Sequence, residues 1–168
     1  MIQYFYKTGR QLSLKTAQFY ILQQPLHSER YLFACRLVAK AYKQDLTVYI
    51  HTDFEQQAQL MDDRLWEFNP ESFIPHGQCT QESADSADNK TSSPIVIGTN
   101  NQQAAQNQHC DLLVNLSAKL PDNFRQFNRI VEIANQDGSV LSTVRKHYAE
   151  LKSAQFKMEI HDFSKQEK

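Results

Sequence analysis

Five short runs are apolar at nearly every position: Phe19-Tyr20-Ile21-Leu22, Leu46-Thr47-Val48-Tyr49-Ile50, Ile95-Val96-Ile97, Leu112-Leu113-Val114-Asn115-Leu116 and Ile130-Val131-Glu132-Ile133-Ala134. A strand with one wet face alternates apolar and polar residues, so a strand that does not alternate needs cover on both faces. Helices crossing over a parallel sheet supply that cover. The segments between the runs fit, because residues 28–44, 53–68 and 139–152 carry apolar residues at steps of three and four. Phe156, Met158 and Ile160 alternate in a closing strand. The expected architecture is a three-layer α/β domain with a mainly parallel sheet, spanning 17–163. Residues 1–16 form an N-terminal extension or an added strand, and 164–168 a polar tail.

In the first helix Tyr31, Ala34, Cys35, Val38 and Tyr42 share a face that Leu32, Phe33 and Leu37 thicken, with Ser28 placed to cap it. The second begins at Asp53, with Gln56 at capping-box spacing, and its core stripe is Phe54, Ala58, Met61, Leu65 and Phe68. Asn69-Pro70 ends it, since a residue before proline is pushed out of the helical region. The segments 78–93 and 99–109 are polar and read as solvent loops.

Composition removes several kinds of function. Four scattered glycines, Gly9, Gly77, Gly98 and Gly138, cannot build a phosphate cradle, so neither G-x-G-x-x-G nor a Walker loop is present. No nucleotide cofactor is expected. Eighteen basic against nineteen acidic residues give a net charge of -1, which provides no field for coating nucleic acid. The N-terminal residues lack the basic start and apolar centre of a secretory signal, and the three cysteines form no C-x-x-C pair, so reduced thiols and a cytoplasmic location are expected. His76-x-x-Cys79 and His109-Cys110 supply zinc-type ligands without the spacing that fixes a site, and no metal is expected. A small cytoplasmic α/β enzyme, hydrolase-like, using a pocket at the strand ends is the alternative from another class, although no G-x-S-x-G elbow supports it.

Two surfaces depart from ordinary patterning. Trp66 sits about 120° round its helix from the core stripe. It is followed by Pro70-Glu71-Ser72-Phe73-Ile74-Pro75-His76, a proline-bounded loop with a second large aromatic residue. Trp66, Phe73 and Ile74 either cover an edge of the core or form a patch for a protein partner. In the last helix Val140, Val144, His147 and Leu151 form the core face, while Leu141, Arg145, Tyr148 and Lys152 line a neighbouring edge. That edge is either a solvated boundary or a groove for an acidic peptide with a hydrophobic end, gripped by Arg145 and walled by Leu141 and Tyr148.

On the opening Phe19-Tyr20-Ile21-Leu22, Leu65-Trp66, the block Pro70 to His76, and Asp111-Leu112-Leu113-Val114-Asn115-Leu116, the chain resembles the chi subunit of bacterial DNA polymerase III holoenzyme over about residues 17–163. The resemblance implies a Rossmann-like fold without bound nucleotide and an accessory subunit without catalytic residues. It implies an adaptor joining the psi subunit of the clamp loader to the acidic C-terminal tail of single-stranded DNA-binding protein, so that DNA contact is indirect. In some members a repair helicase uses the psi-facing surface. Trp66 and Phe73 match psi-facing positions, and Arg145 and Tyr148 match tail-binding ones. Aligned without a gap, Leu141 and Ala149 stand where well-known chi proteins carry lysine, so the tail pocket is expected either to be weaker or to draw the missing charge from Lys146 and Lys152.

Overall fold

The structure, a computed structural model, describes residues 14–79, 93–99 and 110–165. Residues 1–13, most of the two polar segments (80–92 and 100–109) and the last three residues of the tail lie outside the described residues, as does His109. Seven strands form one sheet: β1 (Thr16–Ile21), β2 (Val48–His51), β3 (His76–Gln78), β4 (Ile95–Gly98), β5 (Leu112–Asn115), β6 (Arg129–Ala134) and β7 (Lys157–Asp162). Their order is β3-β4-β2-β5-β6-β1-β7, and every neighbouring pair is parallel. Three helices are described: α1 (His27–Tyr42), α2 (Glu55–Glu67) and α3 (Gly138–Ser153).

The two-residue period of a strand divides each run between two cores. Val48, Ile50, Ile95, Ile97, Leu112, Val114, Val131 and Ile133 face α1 and α2, packing against Ala34, Val38, Met61 and Leu65. Their alternates Tyr49, Val96, Leu113 and Ile130 face the opposite layer, where Val144 and Leu151 of α3 join Phe124, Phe127 and Phe156. This is the three-layer, Rossmann-like arrangement that runs apolar at every position require.

Several local expectations change. Helix α1 starts at His27 with Leu26 at the cap position, so the Ser28 hydroxyl does not cap it. Helix α2 starts at Glu55, with Phe54 at the cap position, 56% exposed rather than in the stripe. Asp53 lies too early to cap by its side chain, which accepts hydrogen bonds from Ser117 Oγ at 2.6 Å and the Ala118 N–H at 2.9 Å. Gln57, not Gln56, closes the turn by accepting from the Asp53 N–H at 2.8 Å. Among the described helices only α3 has a side-chain cap, Asp137 accepting from the Ser139 and Val140 N–H groups. Leu32 is on the wet side of α1, and Gln78 belongs to strand β3 rather than to a loop. Gly98, at the end of β4, is required by a close approach: a Cβ there would stand 2.9 Å from Cys79 Cβ and 3.4 Å from Tyr49 Oη.

Candidate functional site

In α/β sheets of this kind ligands enter a crevice at the carboxyl ends of the strands. Here that crevice, about 240 Å³, lies between the first turns of the three helices and the end of β5. Several of its polar groups are engaged in holding the fold together. The buried Arg30 guanidinium donates to the carbonyls of Ile133 (Nε, 2.6 Å) and Leu116 (Nη1, 3.4 Å). Gln57 donates to the Tyr31 hydroxyl at 3.0 Å and the Leu116 carbonyl at 3.3 Å. With the Asp53 bonds already described, these contacts tie α1 and α2 to the ends of β5 and β6.

Behind the crevice lies a buried pair of titratable side chains, Glu132 and His147. Glu132, 1% exposed on β6, approaches His147 Nδ1 of α3 at 2.9 Å and accepts from Asn115 Nδ2 at 2.8 Å, while His147 Nε2 lies 3.1 Å from the Ala118 carbonyl. Burial disfavours the imidazolium, but the hydrogen bond and charge of Glu132 and the Ala118 carbonyl outweigh it, and the His147 pKa is raised. The sequence signal was available, for Glu132 interrupts an apolar run and His147 sits on a core face. Arg30 gave no such signal, because its partners are carbonyls distant in the chain. Burial pushes the thiols of Cys35 and Cys79 up to about 12 and about 11, which leaves little thiolate at neutral pH. His76 turns its ring towards Asp62 (Nε2 to Oδ1, 3.3 Å) and the Ile74 carbonyl (Nδ1, 2.7 Å).

The aromatic patch lies at the β3 edge. Trp66 is 53% and Phe73 68% exposed, with ring centroids 5.5 Å apart, and the buried ring of His76 lies 4.8 Å behind Trp66. Helix α2 sets Trp66 off its core stripe, and the turn after Asn69 brings Phe73 alongside. Ile74 does not belong with them. At 3% exposed it packs into the core with Met61 and Leu65, because one residue of extended backbone reverses the direction of the side chain.

Helix α3 presents its expected core face, with Val144, His147 and Leu151 buried. Along the neighbouring edge Arg145 and Lys152 are exposed, while Leu141 and Tyr148 are half-buried against the α3-side core. The Tyr148 ring meets Phe19 edge-on, centroids 5.3 Å apart, which fixes it as a wall. Lys146 is exposed but does not belong to this edge: at ~100° per residue it lies a quarter-turn beyond Arg145 and farther still from Leu141 and Tyr148.

Among the described residues no helix is long and apolar enough to cross a membrane, and no group of three metal-ligating side chains occurs. The profile of the family DNA polymerase III chi subunit, HolC matches residues 14–159. Curated relatives named DNA polymerase III subunit chi include one from Haemophilus influenzae, 32% identical over 141 residues, 82% of this chain and 90% of the relative. Another, from Pseudomonas aeruginosa, is 30% identical over 130 residues, 77% of this chain and 84% of the relative. A third, from Escherichia coli K12, is 24% identical over 149 residues, 86% and 96% of the two chains. With the profile running from two residues before β1 into β7, and the all-parallel sheet in place beneath it, this chain belongs to the family of the DNA polymerase III chi subunit.

Proposed function

We propose that the chain is a non-catalytic adaptor of the replisome, in the cytoplasm, holding the psi subunit of the clamp loader at Trp66 and Phe73 and the acidic tail of single-stranded DNA-binding protein at the α3 edge. The observation that carries it is the paired exposure of Trp66 and Phe73 on a chi-family chain. Two large rings left in water form an apolar patch of the kind that becomes the centre of an interface. The crevice at the strand ends supports an adaptor over an enzyme, since Arg30, Asp53 and Gln57 are engaged in tying the fold together. At the α3 edge Arg145 offers a fork for a carboxylate beside the apolar wall of Leu141 and Tyr148, and Lys152 adds a second cation. Lys146 lies far round the helix from Leu141 but only about 60° from Ala149, so the grip on the tail rests on Arg145 and Lys152, with Lys146 beside one of the two missing lysines.

Calorimetry with purified psi tests the first contact: Trp66→Ala and Phe73→Ala are each expected to cost about 2 kcal/mol or more of binding with thermal melts unchanged. Wild-type affinity in both variants would sink the reading. The same logic applies to the tail, followed by anisotropy of a labelled tail peptide. Arg145→Ala is expected to weaken a micromolar complex several-fold, and an unchanged affinity would place the tail elsewhere.

A further inference from the structure

The side of α1 turned away from the sheet carries Arg36, Lys40 and Lys43, all exposed. Steps of four and three set them in one ridge along roughly 10 Å of helix axis. None of the three has an ion pair among the described residues. The ridge borders a groove of about 380 Å³ whose far wall is the chain from Phe68 to Ile74. Ile74 is buried at its floor, Tyr42 and Phe68 are half-buried within it, and exposed Phe73 forms its outer lip. Since Phe73 also stands 5.5 Å from Trp66, the groove and the aromatic pair are continuous.

We propose that ridge, groove and aromatic pair make one docking surface whose occupant is an acidic amphipathic helix of a protein partner. Its apolar stripe rests on Trp66, Phe73 and Phe68, and carboxylates spaced three and four residues apart meet Arg36, Lys40 and Lys43. This deepens the reading above and rests on it, in that the partner is the one seated on Trp66 and Phe73. Charge selects the occupant. The basic ridge flanks one side of the patch, whereas Asp63, Glu67 and Glu71, all exposed, lie on α2 and just beyond it. A nucleic acid, negative along its whole length, would meet those carboxylates, while a helix that is acidic along one flank avoids them. A helix also repeats at the spacing of the ridge, which an extended strand does not.

The full chain and purified psi provide the test, by calorimetry over a salt series. Trp66, the only tryptophan, reports the contact by its fluorescence. The triple variant Arg36→Glu, Lys40→Glu, Lys43→Glu is expected to bind about 30-fold more weakly at low salt, with the deficit shrinking as salt screens the pairs, and to melt as wild type does. Trp66→Ala should bind weakly at every salt concentration. If the triple variant binds like wild type while Trp66→Ala does not, the ridge plays no part and this inference falls, leaving the psi reading in place. If Trp66→Ala and Phe73→Ala both retain wild-type affinity, or psi does not bind the wild-type chain, the reading falls and the inference with it. Sedimentation showing that the chain alone dimerises through the ridge would give the groove to a second copy and overturn the proposal.

Discussion

Ile74, 3% exposed, packs beside Met61 and Leu65, and Phe73, one residue earlier, is 68% exposed. Their truncations should therefore separate stability from docking. Ile74→Ala removes a core side chain and is expected to cost about 2–4 kcal/mol in urea denaturation, whereas Phe73→Ala should lie within roughly 0.5 kcal/mol of wild type. Equal losses in the two would mean that the ring of Phe73 is part of the core. Gly98 gives a second prediction at this scale. Its missing Cβ leaves room for Cys79 Cβ, which would otherwise stand at 2.9 Å, so Gly98→Ala must push β4 and the end of β3 apart. A loss of about 1–3 kcal/mol is expected by the same denaturation, and a silent substitution would show that the β3 end yields freely.

At the scale of elements, two buried histidines titrate in opposite directions. His51, at the end of β2, is lowered from 6.5 to about 4, chiefly by burial, with Asp53 opposing the shift. The native state holds it neutral, so its contribution is complete above pH 6.5 and is lost as pH falls towards 4. His147 on α3 is raised, so its contribution is complete below pH 6.5 and is lost as pH rises through the elevated native value. The two act on opposite limbs of the stability curve. His51→Gln is expected to remove a loss on the order of 3 kcal/mol between pH 6.5 and 4, read from urea midpoints across that range, while the alkaline limb stays as in wild type. An unaltered acid limb would assign that limb to carboxylates instead.

The elements differ in how plainly their residues announced them. Strands β2, β4, β5 and β6 are covered on both faces, so their composition alone marks them, and the three helices follow from what must cover them. Strand β3 was invisible because His76-Gly77-Gln78 has no apolar residue and pairs only along the edge of β4. The cap of α2 misled because Asp53 and Gln57 are drawn into contacts with Ser117 and Leu116, decided by residues about sixty positions away, while α1 begins one residue before Ser28. Of the candidate site, Trp66 and Phe73 stood out by phase and context. Ile74 did not separate from them, because a loop has no period to assign its sides.

For the whole molecule, the order β3-β4-β2-β5-β6-β1-β7 sets a gradient of protection. Among the described residues, strands β2 and β5 have neighbours on both sides and a buried residue at every position, whereas β3 and β7 each pair along one side and none of their residues is fully covered. Native-state hydrogen exchange is expected to be slowest in β2 and β5, approaching the global opening, and fastest in β3 and β7. Protection in β7 equal to that in β5 would show that the outer edge of β7 is covered in solution.

The same strand order has a mechanical consequence. The Trp66–Phe73 patch hangs at the β3 edge on the α1/α2 layer, and the Arg145 edge lies on the opposite layer where Tyr148 meets Phe19 of β1. Five strand spacings, roughly 24 Å, separate β3 from β1. Partners pulling at those two places would stretch the sheet across its strands, along its hydrogen bonds, so that the outermost pair takes the strain first and rows part in turn like the teeth of a zip. Tension along the strands would have to shear a whole row at once. If the chain serves as the proposed adaptor, it would yield gradually from the β3 side, and the direction of pull would decide how much force it transmits.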